Sequence, residues 1–298
     1  MVTVRTAQSD ADLEAWREVR IALMPYERAD SVAEMRAKSK ADQLRVLAED
    51  ETGRVVGHGI CGRSDVPGSA FVAPRVLPDA RRRGAGTALL RVLAAHVATL
   101  DVPLVRAHLD EPESVPFAER FGFEEYDRQV EQVREVAPDE PAPKVPKGVR
   151  IVPVSDRPER WTAAYHTLAQ QAFQDMALVT PIHTTLQVWE REWISDPRAM
   201  FLALAGDEII GCAGLHLEED RPDRAENALT AVLRDWRGRG VAAALKRTVL
   251  AWAAANGIRE VYTWTQRGND DMRRLNEHLG YTYRHESISM QAPLPLNL

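Results

Sequence analysis

The chain is nearly devoid of cysteine, with two residues, Cys61 and Cys212, in 298. That count excludes a disulfide framework, and no Cys/His spacing of a metal site accompanies the pair. Both read as small residues in or near strands. Long apolar runs are also missing. No stretch of about 18 apolar residues occurs, so no membrane-spanning helix and no membrane partner are expected. The start, Met1-Val2-Thr3-Val4-Arg5, has no apolar signal core, which makes a soluble cytoplasmic protein the expectation. Positive charge is not in excess: 38 Lys and Arg face 44 Asp and Glu, for a net charge of −6. A nucleic-acid surface more often brings a basic balance, so no nucleic-acid partner is expected. No Gly-x-Ser-x-Gly elbow supports a hydrolase. No glycine loop ends in Gly-Lys-Ser/Thr, as a triphosphatase would require. His58, His108, His183, His216 and His278 fall into no ligand spacing, and no metal is expected.

What is present is a repeat. The length suits two domains of about 150 residues. Residues 137–148 hold Pro138, Pro141, Pro143 and Pro146, which disfavours a helix or central strand and marks an extended linker. The expected domains are therefore 1–136 and 149–298. Each half shows the same order of elements. In the first, helices are expected over 12–23 and 32–40, a hairpin over 44–48 and 55–61, and a strand over 70–77. A helix over 86–100, a strand over 104–109, a short helix over 114–121 and a last strand over 123–133 follow. In the second, helices over 160–175 and 185–194 precede a hairpin over 200–205 and 208–217. A strand over 229–233, a helix over 240–256, a strand over 261–265, a helix over 271–279 and a strand from Gly280 complete it. This mixed order predicts an α/β (α+β) class, with a partly antiparallel sheet flanked by helices in each half.

A glycine loop opens the long helix of each half. The first is Arg81-Arg82-Arg83-Gly84-Ala85-Gly86, after Val76-Leu77-Pro78. The second is Arg237-Gly238-Arg239-Gly240-Val241-Ala242, after Val232-Leu233. A helix start offers unpaired N–H groups and the positive end of the dipole, and a loop without side chains lets a diphosphate approach. Arg82, Arg83 and Arg239 either add charge there or are solvated helix-start residues.

The order strand, Arg-x-x-Gly-x-Gly/Ala, helix, strand, short helix, Gly-Phe/Tyr resembles the GCN5-related N-acetyltransferase (GNAT) superfamily, in tandem over nearly the whole chain. The resemblance implies two GNAT-like domains and acetyl-CoA as acyl donor. It also implies a sheet splayed at a bulge in the fourth strand, with pantetheine along the open edge. Carried over to this sequence, the cofactor residues are Val76, Leu77, Arg81, Arg82, Arg83, Gly84, Ala85 and Gly86. In the second half they are Val232, Leu233, Arg237, Gly238, Arg239, Gly240, Val241, Ala242 and Asn269. The family's fourth-strand Glu falls on Glu226 in the second half and on Ala70 in the first, counting back from the loop arginine. Glu226 reads either as a general base or as a surface carboxylate on a polar loop. The family's Asn and its Tyr acid correspond to Asn269 and Asn276, and to Glu111 and Ala118 in the first half. Asn276 can donate a hydrogen bond but not a proton, so the acid step departs from the pattern in both halves.

The resemblance thus implies N-acetylation of a small amine, mainly in the second half, with Glu226 and Asn276 as the catalytic candidates. A tandem acyl-CoA-binding module without turnover is the alternative. The acidic stretches 110–113 and 218–220 read as solvated loops or as attraction for a cationic acceptor. Trp189 and Trp193 share a helix face and read as packing or as one wall of the acceptor site. Tyr281 and Tyr283 read as core packing or as neighbours that stand in for the missing acid, a task water could also serve.

Overall fold

The computed structural model describes residues 2–25, 29–64, 66–176, 184–218 and 221–298, and of residue 192 the backbone alone. His183, Glu219 and Asp220 therefore lie outside the described residues. The first half runs β1 (Thr3–Thr6), α1 (Asp10–Leu23), α2 (Val32–Ala37), β2 (Leu44–Glu49), β3 (Val55–Arg63), β4 (Ser69–Val76), α3 (Ala85–Val97), β5 (Leu104–Leu109), α4 (Val115–Glu119) and β6 (Glu124–Glu135). The second runs β7 (Val149–Pro153), α5 (Pro158–Ala164), α6 (Gln170–Asp175), α7 (Leu186–Glu192), β8 (Met200–Ala205), β9 (Glu208–Leu217), β10 (Arg224–Asn227), β11 (Ala231–Val232), α8 (Val241–Ala255), β12 (Glu260–Gln266), α9 (Asp270–His278) and β13 (Thr282–Pro293).

Local chemistry sets several of these boundaries. Ser9 and Asp12 close a reciprocal capping box at the start of α1, and Ser31 and Glu34 do the same for α2. Pro158 opens α5 at a position where its missing N–H costs nothing. A π-helical turn over 165–169 joins α5 to α6.

The chain forms two compact units, Met1–Tyr126 with Ile288–Leu298, and Asp127–Ser287. In the first unit the strands lie in the order β1-β2-β3-β4-β5, with the end of β13 beside β5. Ile288 pairs with Leu109 and Pro293 with Leu104, antiparallel. Leu89, Leu90, Leu93 and Val97 of α3 bury one face, against Val46, Val72 and Val105. Leu13, Trp16, Met35 and Leu47 form a smaller core with α1 and α2. In the second unit the order is β7-β8-β9-β10-β12-β6. Here β6 runs antiparallel to β12, from Glu135 opposite Glu260 to Gln129 opposite Gln266. Val241, Leu245, Val249 and Leu250 of α8 cover one face, and Trp161, Leu168, Phe173 and Trp189 pack on the other.

The closing strand of each half therefore completes the sheet of the other unit. Dividing the chain at its proline-rich stretch follows chain order, whereas the compact units follow strand pairing. Two close approaches fix the correspondence between units. A Cβ on Gly57 would meet Arg75 O and Leu89, and one on Gly211 would meet Ala231 O and Leu245. Gly57, Leu89 and Arg75 thus match Gly211, Leu245 and Ala231.

The fourth strand differs between units. In the first, β4 pairs with β3 in one unbroken register, from Val76 opposite Gly57 to Ala70 opposite Arg63. The bulge implied by the resemblance is absent there. In the second unit, Asn227 faces Leu215 but Ala231 faces Cys212, so one extra residue is inserted around Leu229 and Thr230. A single strand over 229–233 was expected. The observed strand starts earlier, at Arg224, and is broken by this bulge. Both units splay: β4 leaves β5 after Phe71 opposite Arg106, and β10 leaves β12 after Glu226 opposite Tyr262.

Candidate active site in the second unit

Glu226 is the last β10 residue still paired with β12, at the point where the sheet opens. Its strand neighbours are His216 on β9 and Tyr262 on β12. Its carboxylate is half-buried and forms no hydrogen bond among the described residues. Burial raises its pKa first, then Glu218, with Glu131 adding and Arg224 opposing. His216 is also half-buried, and burial lowers its pKa. The surrounding charges are tied to one another. Arg224 donates to Glu260 at 2.8 Å and Glu131 at 3.2 Å, and its guanidinium lies 3.8 Å from the Tyr262 ring centroid. Arg284 donates to Glu131 and Glu260. Tyr262 donates to Glu218 at 2.7 Å. Among the described residues of this network, Glu226 is the carboxylate left to act on something else.

The extra residue of the bulge also corrects the match with the first unit. Glu226 faces His216, whose counterpart is Gly62, and Gly62 faces Phe71. The counterpart of Glu226 is therefore Phe71, not Ala70; neither can titrate.

Antiparallel pairing decides which backbone groups reach the open edge. Leu233 N–H donates to Ile210 O, and Leu77 N–H to Val56 O. Leu233 and Leu77 therefore spend their N–H groups inside the sheet. The alternate residues, Val232 and Val76, present theirs to the splayed side. In the first unit the next such residue is Pro74, which has no N–H. Arg237 Nε donates to Val232 O at 3.0 Å, and Arg81 Nε to Val76 O at 3.1 Å. The leading loop arginines thus brace the strand end. Arg237 and Arg234 also pair with Asp175, and Arg81 with Glu111.

Both long helices start on a glycine with positive φ, +89° at Gly84 and +80° at Gly240, and neither has a side-chain cap. Residues Ala85 and Gly86, like Val241 and Ala242, leave their N–H groups without intrahelical acceptors. Arg82, Arg83, Gly238 and Arg239 lie along the exposed loops. Arg239 stacks over Trp236 at 5.0 Å. In the first unit, however, a Cβ on Gly86 would lie 3.4 Å from the Phe117 ring, and Arg75 pairs with Asp110 at 2.6 Å across the splay. Asp110 and Glu111 of the acidic stretch 110–113 are thereby engaged in ion pairs.

Asn269 caps α9, its Oδ1 accepting from Met272 N–H at 3.4 Å. Asn276 is fully buried, and its Nδ2 donates to Gln132 at 2.9 Å. Its Oδ1 and the Thr230 hydroxyl at the bulge are buried without partners among the described residues. Tyr281 is buried, whereas Tyr283 is half exposed. Trp189 is buried and stacks on Trp161 at 4.1 Å, which is core packing. His108 bonds Ser289 at 3.1 Å. Burial pushes the Cys61 and Cys212 thiols up to about 12. Among the described residues no group of His, Cys, Asp and Glu could hold a metal, and no helix is long and apolar enough to cross a membrane.

Two splayed mixed sheets, each with a glycine-started helix, define a tandem acetyltransferase architecture. The model of the Acetyltransferase (GNAT) family matches residues 10–123 and 161–281. The chain belongs to that family. It is 30% identical over 286 residues to the mycothiol acetyltransferase of Geodermatophilus obscurus, covering 87% of this chain and 92% of that one. The mycothiol acetyltransferase of Catenulispora acidiphila is 27% identical, over 80% of this chain and 77% of its own. A GCN5-related N-acetyltransferase from Sphaerobacter thermophilus shares the fold, with a TM-score of 0.77 at 20% identity, over 98% of this chain and 95% of that chain. A tandem GNAT protein from the clavulanic acid biosynthesis pathway does so with a TM-score of 0.72 at 18% identity, over 98% of each.

Proposed function

We propose that the second unit binds acetyl-CoA and transfers its acetyl group to a small amine. The observation that carries this reading is the bulge between β10 and β11, set beside the unpartnered Glu226. The residues present suit the thioester. The helix start at Gly240 offers Val241 and Ala242 N–H groups to a diphosphate, and Arg239 adds charge. Val232 N–H faces the splayed edge. The orphaned Thr230 hydroxyl and Asn276 Oδ1 are buried polar atoms on elements flanking that edge, where amide groups of a pantetheine would satisfy them. Asn269 caps α9 and keeps its Nδ2 for the thiol end.

Acetyl-CoA, when bound, supplies an activated acyl carbon. Glu226 removes a proton from the ammonium form of the acceptor, directly or through a water, which frees its lone pair for attack. Val232 N–H is placed to polarise a carbonyl at the open edge. Asn276 Nδ2 is spent on Gln132, so this residue supplies no proton to the thiolate, which leaves as the anion and is protonated by solvent. The net negative charge around Glu226 favours a cationic acceptor. The relatives named for mycothiol make an amine of that chemistry one member of the test panel.

We assign the thioester to the second unit alone. The first keeps the helix start at Gly84, but Pro74 removes an N–H from its edge, the Phe117 ring lies against Gly86, and the Arg75–Asp110 pair spans the splay. A thioester-binding module without turnover is the second reading, favoured by the absence of a proton donor at Asn276. Thiol release from acetyl-CoA across an amine panel separates the two. Release that needs both an amine and Glu226 supports the enzyme. Coenzyme A binding with no release for any amine supports the module.

A further inference from the structure

Behind the bulge, on the face of the sheet opposite Glu226, lies a polar cluster inside an apolar core. Lys246 of α8 is 1% exposed. Its Nζ donates to Asn227 Oδ1 at 2.9 Å. Tyr281 Oη donates to the same oxygen at 2.7 Å. Asn227 Nδ2 in turn donates to Gly214 O at 3.4 Å. That carbonyl also accepts Ala228 N–H at 2.9 Å, the last ladder bond before the extra residue. Among the described residues no carboxylate pairs with Lys246, and burial brings its amine down to about 7.

The first unit serves as an internal control. The correspondence that matches Leu245 with Leu89 puts Leu90 at the place of Lys246. Val72 faces Cys61 as Asn227 faces Leu215, and Phe123 follows Gly122 as Tyr281 follows Gly280. Leu90, Val72 and Phe123 are all buried in one apolar core. The same site is thus wholly apolar where β4 runs without a bulge, and polar where the bulge exists. Buried polar groups that well-packed apolar ones could replace seldom add stability. They do add direction, because each bond has one geometry.

We propose that Lys246, Asn227 and Tyr281 are positioning residues that clamp the bulge, holding Val232 N–H and the Thr230 hydroxyl where the thioester carrier is read. The assignment of coenzyme A to this edge rests on the proposed function; the clamp on the bulge does not. Both donors converge on one Asn227 oxygen, and Asn227 ties the end of β10 to β9. The strand is therefore fixed from α8, from Tyr281 just ahead of β13 and from β9 just ahead of the inserted residue.

The test installs the first unit's set, Asn227→Val, Lys246→Leu and Tyr281→Phe together. Amide hydrogen exchange over residues 228–233 and calorimetric titration with coenzyme A are the readouts, beside the melting temperature. A clamp predicts exchange at least about tenfold faster and coenzyme A at least about tenfold weaker, with melting unchanged or higher. A merely structural role predicts a lower melting temperature with binding and local exchange preserved, and that result overturns the proposal. Lys246→Met, a milder change, carries the same expectations should the triple variant not fold. If the wild type itself gives no heat with coenzyme A, the functional reading fails, and the exchange measurement alone decides the clamp.

Discussion

Replacing Lys246 by Met changes how stability depends on pH, and the size of the change follows from the burial of its amine. The group falls from 10.5 to about 7 on folding. Between those values the unfolded chain holds a proton that the folded chain has lost, so stability rises with pH across the interval. The penalty is complete below the folded value and vanishes above the unfolded one. At neutral pH a shift of that size corresponds to about 5 kcal/mol, of which the hydrogen bond to Asn227 returns about 1 kcal/mol. The Met side chain has similar length and no charge to desolvate. The variant is therefore expected to be more stable near pH 7 by a few kcal/mol. Between about pH 7 and about pH 9 the wild type should gain about 2 kcal/mol relative to the variant. Urea unfolding of both proteins at several pH values across that range measures the difference. Parallel curves would refute the argument, because an amine that stays exposed or fully charged produces no differential slope.

Other perturbations have equally definite outcomes. Glu226→Gln should lower turnover about a hundredfold while leaving coenzyme A affinity unchanged in calorimetry, since the variant loses the base and keeps the helix start. Because burial and Glu218 raise the pKa of Glu226, wild-type kcat/KM should climb with pH through that raised value, and the Gln variant should lose this limb. Arg224→Met should destabilise by about 3 kcal/mol or more in denaturant unfolding, because it strands the buried Glu131 with fewer donors. Trp189→Ala should cost about 3–5 kcal/mol in the same assay, as it empties a buried site stacked on Trp161.

Much of the fold is legible in the sequence where a short stretch dictates its own geometry. The helix starts at Gly84 and Gly240 are readable because glycine enters the positive-φ region freely, and a helix follows at once. The hairpin over β8 and β9 is readable from alternation and the intervening Gly206-Asp207. Features that depend on distant partners are not. Arg224, Glu226 and Asn227 look like loop residues, yet they form a strand, because the partners of Arg224 lie 36 and 93 positions away at Glu260 and Glu131. The bulge is one inserted residue, invisible without the pairing on β9, and it moved the counterpart of Glu226 from Ala70 to Phe71. The exchange of β6 and β13 is hidden because both strands have the same length and character. Arg81 and Arg237 look like phosphate ligands by position; the sequence does not show that the Nε of each also reaches back to a strand carbonyl. Lys246 sits in an Ala/Leu-rich helix where its side chain has no local signal of burial. The repeat itself held the clue, since Leu90 occupies the matching place.

The assignment of a thioester site to the helix start and splayed edge of the second unit is tested most directly by calorimetric titration of coenzyme A into the pure protein, its Gly84→Leu variant and its Gly240→Leu variant. The expected result is one molecule bound per chain, retained in Gly84→Leu and lost in Gly240→Leu. Absence of heat with the wild type, or binding that survives at Gly240 and disappears at Gly84, would contradict it.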